Sequence, residues 1–227
     1  AADITDGREM VHDADSNTAE MDITQLYLGL NRPGGIPLQI RLGRQNWNIG
    51  SRRLISSSSW GNKKRSWDGI MAEADFGQAH VLASGDSVVD MENGKFDHGK
   101  FDEILWGTLL NAKAGESVRV EVYLFGLYKD AYRDSSKPIR GENGGIGSEN
   151  RMTPGFRVYG NISSPEIDWE FDGAFQVGCR AGDSIHAFAF ASSVGWTLPI
   201  DTSPRIALEV TYASGDPDSE DFLEQTF

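Results

Sequence analysis

The sequence predicts an all-β chain: an antiparallel up-and-down meander of about ten strands rolled into a transmembrane β-barrel. Three observations predict it. Apolar and polar residues alternate with period two along most of the chain, and no window longer than about ten residues holds a helical period. The segments between the alternating runs are mostly short and long by turns, as in outer-membrane barrels with short turns at one end and long loops at the other. Finally, charges of mixed sign share one face of the runs. Aromatics on the other face gather near the run ends, where an interfacial girdle would lie.

The runs fall at residues 23–30, 38–47, 67–76, 78–85, 103–111, 117–128, 156–162, 167–177, 185–196 and 205–214. In the second, Leu42 opposes Arg41, and in the third Phe76 opposes Glu73. For 103–111 neither face stands out as apolar. In the sixth, Val118, Val120, Val122, Leu124 and Tyr128 face one way, and Arg119, Glu121 and Tyr123 the other. FRVYGNI sets Phe156, Val158 and Ile162 against Arg157, Tyr159 and Asn161. IDWEFDGAFQV sets Trp169, Phe171, Phe175 and Val177 against Asp168, Glu170, Asp172 and Gln176. Either face of 185–196 fits as the apolar one. Taking His186, Phe188, Phe190, Val194 and Trp196 as outward places Trp196 in the girdle with Phe76, Tyr128, Trp169 and Tyr212. The last run sets Ile206, Leu208, Val210 and Tyr212 against Arg205, Ala207, Glu209 and Thr211.

NRPGG, FGQ, KAGE, SSPE and LPIDTS carry the Gly, Pro, Asp and Ser chemistry of tight turns. Residues 48–66, 86–102 and 129–150 are long and polar and read as external loops; GCRAGDS is a short connection at that same end. Residues 1–19 read as an acidic polar segment or loop, and SGDPDSEDF as the start of another loop. If the short turns are periplasmic, the first run descends and the last ascends. The expectation is therefore one β-barrel domain over residues 1–227, partial, completed by strands outside these residues.

The 227 residues carry a formal charge of -13, which repels nucleic acid. Cys179 is the only cysteine, so neither an intrachain disulfide nor a thiolate zinc cage can form. No apolar run approaches the roughly 18 residues of a membrane-spanning helix. Neither a cofactor nor a metal site is expected, and no reaction.

Two other readings remain open on residues alone. Asp168, Glu170 and Asp172 are spaced about 6.6 to 7 Å apart at successive same-face Cα atoms, which permits the paired carboxylates of a glycoside hydrolase. Yet His12, His80, His98 and His186 show no metal-binding spacing, and no nucleophile elbow occurs. A soluble carbohydrate-binding β-sandwich would use Trp47, Trp60 and Trp67 as stacking platforms. The acidic stretch 86–103 lacks the order of a calcium loop, and GENGGIGSEN lacks the Lys-Ser/Thr of a phosphate cradle.

In this order along the chain lie LGRQNW, SRRL, WGNKKRSWDGIMAEA and YASGDPDSEDFLEQTF. These pieces resemble the alginate-export family of outer-membrane β-barrel porins. The resemblance rests on a GRQ at a strand end (Gly43, Arg44, Gln45), an Arg-bearing loop, an N-x-x-R-[ST]-[FW]-D-G-like stretch (Arg65, Asp68), and a distal SGD (Ser214, Gly215, Asp216) followed by Thr-Phe. It implies passive passage of an anionic polysaccharide or a small anionic solute through the bacterial outer membrane, with membrane lipid outside and unidentified periplasmic partners.

In such a lumen Arg41, Arg119, Arg157 and Arg205 are the candidate selectivity residues, because a planar guanidinium fork pairs with carboxylate. Glu121, Asp168, Glu170 and Glu209 would be counterweights that keep the solute from binding too tightly to leave. Strict parity aims Arg44 at lipid with Leu42, so either it lies at the strand end or a bulge turns it inward. A register pin bonded to loop carbonyls is the other role open to it. Arg65 and Asp68 are expected to pair across the base of a loop.

Overall fold

A computed structural model describes residues 23–57, 65–90, 98–132, 138–141, 144–218 and 221–227. The strands are β1 (Leu26–Asn31), β2 (Leu38–Gln45), β3 (Trp67–Asp75), β4 (Ala79–Asp90), β5 (His98–Lys113), β6 (Val118–Lys129), β7 (Glu149–Ser163), β8 (Glu166–Arg180), β9 (Asp183–Thr197), β10 (Arg205–Ala213) and β11 (Leu223–Glu224). β1 to β10 pair in chain order, each antiparallel to the next. This is the expected meander. β1 and β10 are the two edges of the path and do not pair with each other, so the sheet is open. An open antiparallel sheet of this kind is consistent with part of a barrel, since in hydrocarbon the unpaired N–H and C=O groups of two such edges would be untenable.

Several strands are longer than the alternation suggested. β4 and β5 extend into the stretch expected to be an external loop, with a register break between Ser87 and Val88. Residues 91–97, the rest of that acidic stretch, lie outside the described residues. β7 starts at Glu149 rather than Phe156, despite Pro154. The β7–β8 ladder passes from the Met152–Val177 pair to the Gly155–Ala174 pair, so it steps over the proline that has no N–H to give. β11 was not expected. The chain after β10 turns back and pairs parallel with β9 at Ser184 and Ile185 rather than continuing as a loop.

The two faces separate as expected. On β10 the outward side chains Leu208 and Tyr212 are 63% and 49% exposed, and on β8 Phe171 and Phe175 are 39% and 45% exposed. On the opposite face of β8, Asp172 and Gln176 are buried. β9 takes the orientation chosen for it, with Phe188, Phe190, Val194 and Trp196 outward and Ile185, Ala187 and Ala191 buried inward. β5, undecided from sequence, turns Ile104, Trp106 and Leu110 outward and Leu109 and Asn111 inward. Phe76, Tyr128, Tyr212 and Trp196 are exposed near strand ends, as a girdle requires. A polar-in, apolar-out sheet is the reverse of a soluble protein and suits lipid.

What fills the interior is a loop. Residues 46–57, of which 46 and 47 were expected to end a strand and 48–57 to begin an external polar loop, form a tight finger closed by Ser57 N–H to Trp47 O at 2.8 Å and Ile49 N–H to Ile55 O at 3.2 Å. Trp47, Ile49 and Ile55 pack on the inward side chains Trp67, Met71, Leu82, Leu109, Tyr123 and Phe125. Burying an isoleucine stabilises by about 1.5 to 3 kcal/mol, which is why this loop folds in rather than out. Trp47 and Trp67 are therefore core, not open stacking platforms; Trp60 lies outside the described residues.

Candidate functional site

The inward face carries a ladder of ion pairs. Arg41 Nη2 donates to Glu73 Oε1 at 2.6 Å from β2 to β3, and Arg157 Nη2 to Glu170 Oε2 at 2.7 Å from β7 to β8. Arg205 on β10 reaches over β9 to Asp168 on β8, donating from Nε at 2.9 Å and from Nη2 at 2.5 Å. It passes over Gly195, where any Cβ would collide with the guanidinium. Near the other ends of these strands Arg151 bonds Glu149 at 3.0 Å, and Arg180 bonds Glu224 of β11 at 2.8 Å. Three of the four candidate selectivity arginines thus have a carboxylate partner already.

Arg119 is the exception. Its Nη1 donates to the amide oxygen of Asn111 at 3.0 Å, and Asn111 Nδ2 donates to Glu121 Oε2 and to Tyr159 Oη, both at 3.0 Å. The group that orients Arg119 is a neutral amide, and among the described residues Arg119 has no direct carboxylate partner; Glu121 is linked to it only through Asn111. Glu121 is buried and faces Asn111 and the finger.

The finger touches the far wall through polar contacts. Ser51 Oγ donates to Asp172 Oδ2 at 2.5 Å, and Tyr123 Oη donates to Asp172 Oδ1 at 3.0 Å. Arg53 Nη2 donates to Glu209 Oε1 at 2.8 Å. Gly50 has φ +58°, and a Cβ there would lie 2.7 Å from Glu121 Oε1. The finger therefore runs from β2 across to β6, β8 and β10. That reach requires the sheet to curve around it, and it narrows the space the sheet encloses. Beside it a cavity of about 420 Å³ is lined by Arg53, Leu54, Tyr123, Asp172 and Phe227 among others.

The motif residues have structural tasks. Gly43 has φ +128°, and a Cβ there would collide with the carbonyl of Leu26 across the β1–β2 pair. Arg44 keeps the outward parity at the end of β2 and is answered there. Its Nε and Nη2 donate to Asp68 Oδ1 and Oδ2 at 2.8 and 3.0 Å, and Nη1 to the carbonyl of Ile23 at 3.1 Å. No bulge turns it inward. Asp68 pairs with Arg44, not with Arg65 as expected, because Arg44 sits opposite Asp68 in the β2–β3 register. Arg65 is exposed, and its carbonyl accepts from Ser57 Oγ at 2.9 Å. Gln45 Nε2 donates to the buried Asp86 at 3.2 Å.

Ser214 binds the returning chain. Its Oγ accepts from Phe188 N–H at 2.9 Å and donates to the carbonyl of Gln225 at 2.6 Å, while its own carbonyl accepts from Phe227 N–H at 3.2 Å. Ser214 thus ties the segment at Gln225 and Phe227 back to β9. Asp216 Oδ1 accepts from Asp218 N–H at 3.2 Å in a local turn, and Gly215 has open space around it.

Asp168, Glu170 and Asp172, the acids that geometry permitted as a hydrolytic set, are each committed to a different partner: Arg205, Arg157, and Ser51 with Tyr123. Among the described residues no cluster of three His, Cys, Asp or Glu side chains is placed to hold a metal ion. Sequence reasoning missed Asn111, Ser51, Arg53 and the finger itself. SRRL marked an arginine-bearing loop, but nothing in its alternation said that the loop turns inward.

A family model described as Alginate export matches residues 2–227. No curated protein and no solved structure matches the chain.

Proposed function

Because the chain belongs to the alginate export family of outer-membrane β-barrels, we propose that it forms a channel through which an anionic, alginate-like polysaccharide or a related solute passes passively, with no reaction. The observation that carries this reading is the inversion of the sheet. Apolar side chains such as Leu208 and Phe175 are on the exposed outer face, and Arg41, Arg119, Arg157, Arg205 and their acids are on the face that holds the finger. Lipid suits the first face and water the second.

Paired arginines suit transport better than bare ones. A guanidinium already bonded to a carboxylate can exchange it for a passing uronate at small net change, so each contact holds the solute briefly. The finger narrows the path, which brings the solute within reach of the wall. The soluble sandwich fits poorly, since it would bury the apolar face that lies exposed here.

Planar-bilayer recording of the protein tests this. Discrete conductance steps with a reversal potential on the anion side, blocked by oligouronates more than by neutral oligosaccharides, are expected. Complete absence of conductance would overturn the reading.

A further inference from the structure

We propose that Lys113, Arg119, Tyr159 and Asn161 form an anion-binding site at the short-turn mouth of the barrel, and that it takes the carboxylate of a uronate-bearing saccharide. This rests on the channel reading for its role, though the site itself is argued from its own geometry.

Lys113 and Arg119 stand directly opposite each other in the β5–β6 register, next to the turn that joins the two strands. Like charges in that relation on a strand pair are destabilising, and an anion held between them removes the repulsion. Neither cation has a carboxylate partner among the described residues, in contrast to Arg41, Arg157 and Arg205, which sit in the same ladder with acids at 2.5 to 2.7 Å. Arg119 is aimed by a neutral amide oxygen, that of Asn111 at 3.0 Å. A neutral partner fixes the guanidinium without spending its charge and leaves most of its fork of donors for a ligand.

The surroundings supply a container and further donors. A cavity of about 340 Å³ is lined by Lys113, Ser117, Arg119, Tyr159 and Asn161, a size at the lower end of small-ligand sites. Tyr159 Oη accepts from Asn111 Nδ2 at 3.0 Å, so its own proton remains to be donated. Its ring lies under the Arg157 guanidinium, 4.1 Å from centroid to Cζ, which holds it in place. Glu116 also borders the cavity from the turn. Its carboxylate limits how tightly an anion is held, as a site that must release its ligand into a channel requires.

Isothermal titration of a hexameric oligogalacturonate into the detergent-solubilised protein tests the site, with maltohexaose as the neutral control and a sulfated oligosaccharide as the alternative anion. The Lys113→Gln/Arg119→Gln double variant is expected to weaken oligogalacturonate binding at least about tenfold, since two charge-assisted contacts are lost. The charge-retaining Lys113→Arg variant should bind like wild type, and heat-modifiable gel migration should show that every variant is folded. Unchanged affinity in the double variant, or an equal loss for maltohexaose, would overturn the site. Tighter binding of the sulfated sugar than of the uronate would overturn the ligand class. Binding of oligogalacturonate by a protein that conducts nothing in bilayers would leave the site standing and remove the channel.

Discussion

Arg53 Nη2 meets Glu209 Oε1 at 2.8 Å although 156 residues separate them in sequence. The contact ties the inner finger to β10, an edge strand of the sheet, and so spans the interior of the barrel wall. Both side chains are more than a third exposed, and a pair of this kind contributes at most about 1 kcal/mol. Arg53→Ala is therefore expected to raise the released population of the finger by no more than about fivefold. Single-channel recordings should show more frequent wide openings with the closed level unchanged. A conductance trace identical to wild type would mean that the finger does not limit the path.

Arg44 and Asp68 lie on the outward parity, where, with lipid outside as proposed, an unpaired charge costs up to about 2 to 4 kcal/mol at the midplane and less toward the interface. Removing one partner leaves that cost uncompensated, whereas removing both does not. Arg44→Leu/Asp68→Leu should consequently be more stable in a folding titration than Asp68→Leu alone. A double variant less stable than Asp68→Leu alone would place the pair's role elsewhere, for instance in Arg44's bond to Ile23.

Ser214→Ala removes a hydroxyl that accepts from Phe188 and donates to Gln225. Each such bond is worth about 0.5 to 1.5 kcal/mol. The expected outcome is faster amide exchange at residues 221–227 with little change on β2 to β6, measured by hydrogen–deuterium exchange. Uniform acceleration across the sheet would show that Ser214 supports the barrel as a whole.

The strand ladder was legible because alternation is a local property: residues 118–128 or 205–213 declare both faces without reference to any neighbour. The ion pairs were half legible. Parity put Arg157 and Glu170 on one face, but the register sets Asp172, not Glu170, directly opposite Arg157; the guanidinium reaches diagonally to Glu170 while Asp172 accepts from Ser51 and Tyr123, and sequence holds none of this. Arg44 shows the same limit, since its partner Asp68 is given by the β2–β3 register and not by nearness to Arg65. The finger was illegible because its apolar residues Trp47, Ile49 and Ile55 are scattered among polar ones with no period, and only the strands around them make a place for them. The pairing of β11 with β9 is a contact between distant segments with no local signature at all.

The central claim is that one face of this sheet meets lipid and the other water. Site-directed spin labels along β8, introduced one at a time as cysteines after Cys179→Ser and reconstituted into vesicles, test it directly. At positions 169, 171 and 175 the account predicts high collision rates with oxygen and low rates with a polar nickel chelate. At positions 168 and 170, the inward positions that are not buried, it predicts the reverse, so the two profiles alternate with period two from 168 to 171. Chelate access at 169, 171 and 175 equal to that at the even positions would contradict it.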